Sequence, residues 1–301
     1  MTMRRLPPSS SSRPSHGGVG GARRPQGGFS LVELVIVIVI IGVLTAIVSV
    51  FIVQPVQGYL GTVARVELVN ATDNALRRIG RDLRIALPNS VRVAASGLTV
   101  ELIPTTAGGR YYQDDATPTA QRLDFGVADT DGFSLMSPGI SLRAGQSLVF
   151  YNLGEGVTES DAYAATNTAT SNRRPYAGAT AATVTTMATG SWSALPVAAR
   201  AAPFRFQVVD PPVSYHCDLA AGTLTRFTGY GFNASQVSPP TGGSSAILAT
   251  GVTACKFSYE AFAVAARAGL VSMSLTLAST LPGSGTESVT LYHSIHVDNL
   301  P

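Results

Sequence analysis

Residues 34–53 read Leu-Val-Ile-Val-Ile-Val-Ile-Ile-Gly-Val-Leu-Thr-Ala-Ile-Val-Ser-Val-Phe-Ile-Val and carry no charge. As a helix such a run spans about 30 Å, the hydrocarbon thickness of a bilayer. Many of these residues are β-branched and would suit a strand in water. In lipid a lone strand leaves its backbone unpaired, so the run is predicted to be helical. Five arginines and no acid precede it in residues 1–28, which predicts the N-terminus inside and the bulk outside. A secretory signal is the competing reading. Its apolar region would run about 7–15 residues and end in a small-residue cleavage site. Here the run is longer, Gln54-Pro55-Val56-Gln57 follows it, and the small residues Gly27-Gly28 come before it.

Composition narrows the function classes. The chain of 301 residues has a formal charge of +3, but residues 29–301 hold 16 basic and 18 acidic side chains. The basic character therefore belongs to the leader, and no nucleic-acid partner is expected of the body. The lone lysine is Lys256. With no Gly-Lys pair a P-loop motor is excluded. GxSxG, HExxH and GxGxxG are also absent, and no catalytic residues are assigned.

Residues 1–28, rich in Pro, Ser, Gly and Arg, read as a leader. Residues 56–87 predict an amphipathic helix with Tyr59, Leu60, Val63, Val66, Val69, Leu76, Ile79, Leu83 and Leu87 on its apolar face. Arg65, Glu67, Asp73, Arg77, Arg78, Arg81, Asp82 and Arg84 take the other faces. Pro55 is expected to kink or loosen its start, and Pro88 to stop it. Beyond Pro88, alternating runs at 91–93, 98–103, 147–151, 204–209, 254–259, 270–277 and 289–297 predict a mostly antiparallel sheet. Residues 160–202, rich in Ala, Thr and Ser, read as a long surface loop.

Glu33 is a carboxylate inside the apolar stretch, where it costs roughly 2.5–3.5 kcal/mol on insertion scales. Either its head reaches the interface from near the helix end, or, the favoured reading, it awaits a cation from another chain. Cleavage after Gly28 would make Phe29 a new N-terminus, and its ammonium could pair with Glu33 of a staggered neighbour.

The run Gly28-Phe29-Ser30-Leu31-Val32-Glu33 resembles the N-terminal motif of type IV pilin-like proteins. The resemblance implies that a prepilin peptidase cuts between Gly28 and Phe29 and N-methylates Phe29. It implies an α+β type IV pilin fold: a long N-terminal helix packed on a mostly antiparallel β-sheet head. The domains would be a leader (1–28), a transmembrane and filament-core helix (29–53), an amphipathic periplasmic helix (54–88) and a β-rich head (89–301). Many pilins carry a proline where this chain has Val50; here Pro55 stands nearby. Val19 precedes what looks like an ordinary short leader, so translation is expected to start there.

Residues 81–92, 213–217, 252–259 and 296–301 look like the MshO-type minor pilins of mannose-sensitive haemagglutinin (MSHA) pilus systems. They are similar in plan to the J-type minor pseudopilins of type II secretion, the alternative reading. The implied partners are a major pilin, other minor pilins, the prepilin peptidase and an inner-membrane assembly platform with a separate cytoplasmic ATPase. The implied location is the bacterial inner membrane with the head in the periplasm, then the pilus. A large head suits a tip or an occasional subunit better than a dense shaft, so low stoichiometry and a role in initiating or capping filament assembly are expected.

Cys217 and Cys255, in strand-like contexts outside the inner membrane, are expected to form a disulfide. Closing that loop would contribute about 4 kcal/mol. His293 and His296, three apart in a strand, face opposite sides. His216 adjoins a cysteine lost to the disulfide, so no metal or other cofactor is expected. Asp129-Thr130-Asp131-Gly132 resembles half a calcium loop but reads better as a solvated turn; Asp114-Asp115 reads likewise. The pair Arg173-Arg174 is too small for a nucleic-acid patch.

Overall fold

A computed structural model describes residues 28–113, 117–118, 121–136, 138–261, 268–281 and 285–301. The leader up to Gly27, with Val19 and His16, and the Asp114-Asp115 pair lie outside the described residues. The chain divides into two compact units, Met1–Pro55 and Val56–Pro301.

Helix α1 (Leu31–Arg84) crosses that division without interruption, with Pro55 inside it. Pro55, expected to kink or loosen the start of the amphipathic part, lies within helical structure. Proline removes one backbone donor, and the turns on either side hold helical geometry. The helix also ends three residues before the expected stop, because Ile85 and Leu87 exchange backbone bonds with a strand: Leu87 N–H donates to Ile103 O and Thr105 N–H to Ile85 O.

The strands, in chain order, begin with β1 (Arg92–Val93), β2 (Thr99–Leu102), β3 (Thr105–Arg110), β4 (Phe133–Ser134) and β5 (Ile140–Leu142). Next come β6 (Ser147–Phe150), β7 (Arg173–Pro175), β8 (Ala181–Val184), β9 (Thr186–Met187), β10 (Arg205–Val209) and β11 (Val213–Asp218). The series closes with β12 (Thr223–Thr228), β13 (Ser244–Thr250), β14 (Val252–Ala261), β15 (Ala268–Leu281) and β16 (Gly285–Asp298). They form a five-stranded sheet (β1-β2-β11-β12-β13), a four-stranded sheet (β3-β10-β6-β7), a three-stranded sheet (β14-β15-β16) and the pairs β4-β9 and β5-β8. Every pairing between these strands is antiparallel.

The first core lies between the C-terminal half of α1 and two sheets. Leu76, Ile79 and Leu83 meet Val100 and Leu102 of β2, Tyr215 of β11, and Val271, Met273, Leu275, Ile295 and Val297 of β15 and β16. Burying each such aliphatic side chain contributes roughly 1.5–3 kcal/mol. Gly80 lets the helix approach closely, since a Cβ there would stand 2.5 Å from Ile295 Cδ1. The chain passes from the five-stranded to the three-stranded sheet through one residue, Gly251, at φ +74°, where a Cβ would meet Ala278 O at 2.5 Å.

The helix face differs from the sequence expectation over residues 59–69. Buried positions are Ala64, Leu68, Thr72, Ala75, Leu76, Ile79 and Leu83, while Tyr59, Leu60, Val63, Val66 and Val69 are exposed. Within 59–69 only Ala64 and Leu68 are buried, and the other apolar residues form a second stripe outside. Thr72 is tolerated in the interior because its hydroxyl donates to Leu68 O at 2.7 Å.

A second core is aromatic. Tyr111, Phe133, Phe150, Trp192 and Phe206 cluster with Leu148, Leu195 and Val208. Phe150 stands 6.2 Å from Trp192 and 5.9 Å from Phe206, ring centre to ring centre. Residues 160–202, expected as a surface loop, instead supply β7, β8, β9, a 3-10 turn at Val197–Ala199 and Trp192 to this core. Arg174 explains how a segment without period can be held. It is fully buried, and it donates to the carbonyls of Thr168, Ser171, Arg173, Ser193 and Ala194 at 2.6–3.1 Å. Burial pulls its guanidinium down to about 10, which still leaves it charged at neutral pH. Arg173 donates to Ala162 O and Ala164 O and stacks 3.6 Å over Phe232.

Candidate functional site

The candidate site is the start of α1. Ser30 caps it: Glu33 N–H donates to Ser30 Oγ at 3.1 Å and Leu34 N–H to Ser30 O at 3.1 Å. Ser-x-x-Glu is the sequence signature of such a start, a signal the sequence reading passed over. Glu33 is the acid of the first turn, where the positive end of the helix dipole favours a carboxylate. Cap and dipole thus give Glu33 a local role beside any intermolecular one. Phe29 is 78% exposed, and Gly28 has open space around its Cα.

From Phe29 to Val53 every large apolar side chain is exposed, and α1 is apolar enough to cross a membrane, with an 18-residue stretch of mean hydropathy 3.3. So long an apolar surface is not stable in water. It is consistent with membrane anchoring, or with burial among other helices. The exposed stripe of Tyr59, Leu60, Val63, Val66 and Val69 adds apolar surface on the second unit's part of the helix.

Within the second unit the helix is tied to the sheet by charge. Asp82, expected on a polar face, accepts from Tyr215 Oη at 2.5 Å and from Arg226 Nη2 at 2.9 Å. Burial, then the hydrogen bond to Asp82, holds the Tyr215 phenol above its ordinary range. A second knot joins the chain after β12 to the five-stranded sheet. Arg92 donates to Glu101 and Glu155, each at 2.6 Å, and to the carbonyls of Asn233 and Ala234. Tyr230 Oη donates to Glu101 Oε1 at 2.8 Å.

The sequence-predicted residues are distributed as follows. Cys217, buried in β11, and the half-buried Cys255 in β14 form a disulfide with Cα atoms 6.3 Å apart. It links the five-stranded to the three-stranded sheet. His293 and His296 lie on opposite faces of β16, and His216 Nδ1 is 2.7 Å from Thr99 Oγ1. The half calcium loop is no solvated turn throughout. Asp129 is buried and accepts from Gly132 N–H, Asp124 N–H and the Thr189 hydroxyl; Thr130 and Asp131 lie outside. Among the described residues no three His, Cys, Asp or Glu side chains are placed to hold a metal ion.

The profile of the prokaryotic N-terminal methylation motif matches residues 23–49. No curated protein and no solved structure matches the chain. The motif, the apolar helix that follows it and the antiparallel sheets behind it support a type IV pilin-like protein.

Proposed function

We propose that the chain is a minor pilin of an MSHA-like type IV pilus, made as a prepilin in the inner membrane with its head in the periplasm. The single observation that carries the reading is the match to the methylation motif over the Gly28-Phe29 junction and the capped apolar helix after it. Prepilin peptidase removes residues 1–28 and methylates Phe29. The subunit then moves sideways from lipid into a helical bundle formed with a major pilin and other minor pilins. Apolar side chains leave one apolar medium for another, so hydrophobic transfer contributes little and packing with polar pairing sets the order. Glu33 supplies the pairing by meeting the Phe29 ammonium of the next subunit, and the register of one subunit is read by the next. The exposed stripe from Tyr59 to Val69 extends the packing surface along the helix. Work comes from a separate cytoplasmic ATPase acting through a membrane platform.

Filaments sheared from cells and examined by mass spectrometry test this. An N-methylated Phe29 terminus at low abundance beside a major pilin is the expected result. A processed chain confined to the inner membrane would instead point to an assembly primer or to a J-type pseudopilin of type II secretion. An intact Gly28–Phe29 bond would overturn both. Glu33→Ala should leave cleavage intact and sharply reduce entry into filaments; normal incorporation would remove the pairing from the account.

A further inference from the structure

The stretch Arg77-Arg78-Ile79-Gly80-Arg81-Asp82-Leu83-Arg84 concentrates four cations in a body that is otherwise slightly acidic. Arg77, Arg81 and Arg84 fall at helical spacing and, with Asn74, Gly80 and His293 of β16, line a cleft of about 500 Å³. Like charges three and four residues apart destabilise a helix. The helix dipole offsets this for Arg81 and Arg84, which lie in the last turn, but its effect fades before Arg77. Arg77 has Asp73 at 2.6 Å, an exposed pair. Among the described residues no carboxylate pairs with Arg81 or Arg84, and Asp82 is held by Tyr215 and Arg226 on the other side.

The cleft borders an open sheet edge. β16 is the outer strand of its sheet, 14 residues long, and pairs with β15 in unbroken register. Residues 288–297, Ser-Val-Thr-Leu-Tyr-His-Ser-Ile-His-Val, contain no charge and no proline. Edge strands are normally blunted by lysine, proline, a bulge or short length. β16 has none of these over that stretch, and among the described residues no backbone group pairs with its outer edge from Ser288 to Ile295.

We propose that the outer edge of β16 and the Arg77-Arg81-Arg84 row beside it form a docking site for an extended acidic segment of another protein subunit. Such a segment adds a strand to the sheet, its backbone completing the N–H and C=O row of β16. Alternate side chains then turn toward the helix, where carboxylates meet the arginines in charge-assisted hydrogen bonds. The other set lies over the Ser/Thr face that carries Ser272, Thr290 and Tyr292. A lipid headgroup satisfies the arginines but leaves the strand edge unmatched, which is why a polypeptide fits better. The site depends on neither cleavage nor filament entry, so it stands or falls apart from the minor-pilin reading.

The test uses the full chain in detergent micelles and a fluorescent eight-residue peptide alternating Glu and Val. Expected are a rise in anisotropy, slowed amide exchange within 288–297, and binding weakened by roughly tenfold or more in the Arg77→Gln/Arg81→Gln/Arg84→Gln variant. Should the triple variant fail to fold, judged by helical circular dichroism, Arg81→Gln alone should weaken binding several-fold. Equal binding of the Gln-Val peptide, unchanged binding by the variants, or unchanged exchange in β16 overturns the proposal. So does a preference for phosphatidylglycerol-doped over uncharged micelles that the triple variant loses and the peptide does not displace, since α1 inserts equally into both.

Discussion

Beneath α1 the core is aliphatic, drawn from long strands and a periodic helix, and closed by a disulfide between two sheets. Around Trp192 the core is aromatic, drawn from strands of two to six residues, and the adjoining segment is held by arginine side chains that donate to carbonyls. The first core is ordered by pattern and the second by individual polar anchors. A loss in the first should be spread over many contacts, whereas a loss in the second should follow from one residue.

The largest effect is expected from Arg174→Met. Five carbonyls lose a donor, and those of Ser171, Ser193 and Ala194 keep no other among the described residues; each unpaired acceptor costs about 1–3 kcal/mol, so a loss on the order of 5 kcal/mol follows. Amide exchange should rise in residues 160–200 while β14–β16 stay protected. Equal loss in both regions would show that the two cores unfold as one. Cys217→Ser with Cys255→Ala tests the other side. It should cost about 4 kcal/mol, and helical circular dichroism should melt before the fluorescence of Trp192, the single tryptophan.

A smaller change is expected from Asp82→Asn, which weakens the bonds to Tyr215 and Arg226. These groups are only partly buried, so roughly 1–2 kcal/mol is anticipated, read as a shift in denaturant midpoint with Trp192 fluorescence little altered. The smallest concerns pH. Burial raises the Tyr111, Tyr163, Tyr215 and Tyr230 phenols above their ordinary value. Their unfolded counterparts ionise near 10, so the folded state binds more protons above that pH and stability falls as pH rises. Arg173 and Arg174, drawn down to about 10, give up protons in the folded state first and act in the opposite sense. A modest net fall in denaturant midpoint between pH 9 and 11 is the expected outcome.

What could be read in advance follows the same division. The apolar run, the lower half of α1 and the long strands β14–β16 announce themselves by period, because one face of each meets one core. The stripe at 59–69 misleads, since period shows that an apolar face exists and not which partner covers it. Ala64 and Leu68 are the buried positions there instead, and Leu68 joins the core against the sheets. β7 to β9 have no readable period: they are short, and their anchors are two adjacent arginines that on their own suggest solvent. Asp129 is similar, an acid whose partners are backbone N–H groups. At the candidate site Gly28, Phe29 and Glu33 could be singled out from residue type and position alone, and the Ser30 cap was legible in the same six residues.

The bond between Cys217 and Cys255 also sets how far the chain can lengthen. Drawn out from its ends, a polypeptide extends by up to about 3.3–3.6 Å per residue released. The residues between the two cysteines, separated by 38 positions, cannot be paid out while the bond holds, which withholds about 130 Å of contour. Under tension β12 and β13 are spectators, and the load passes directly from one sheet to the other.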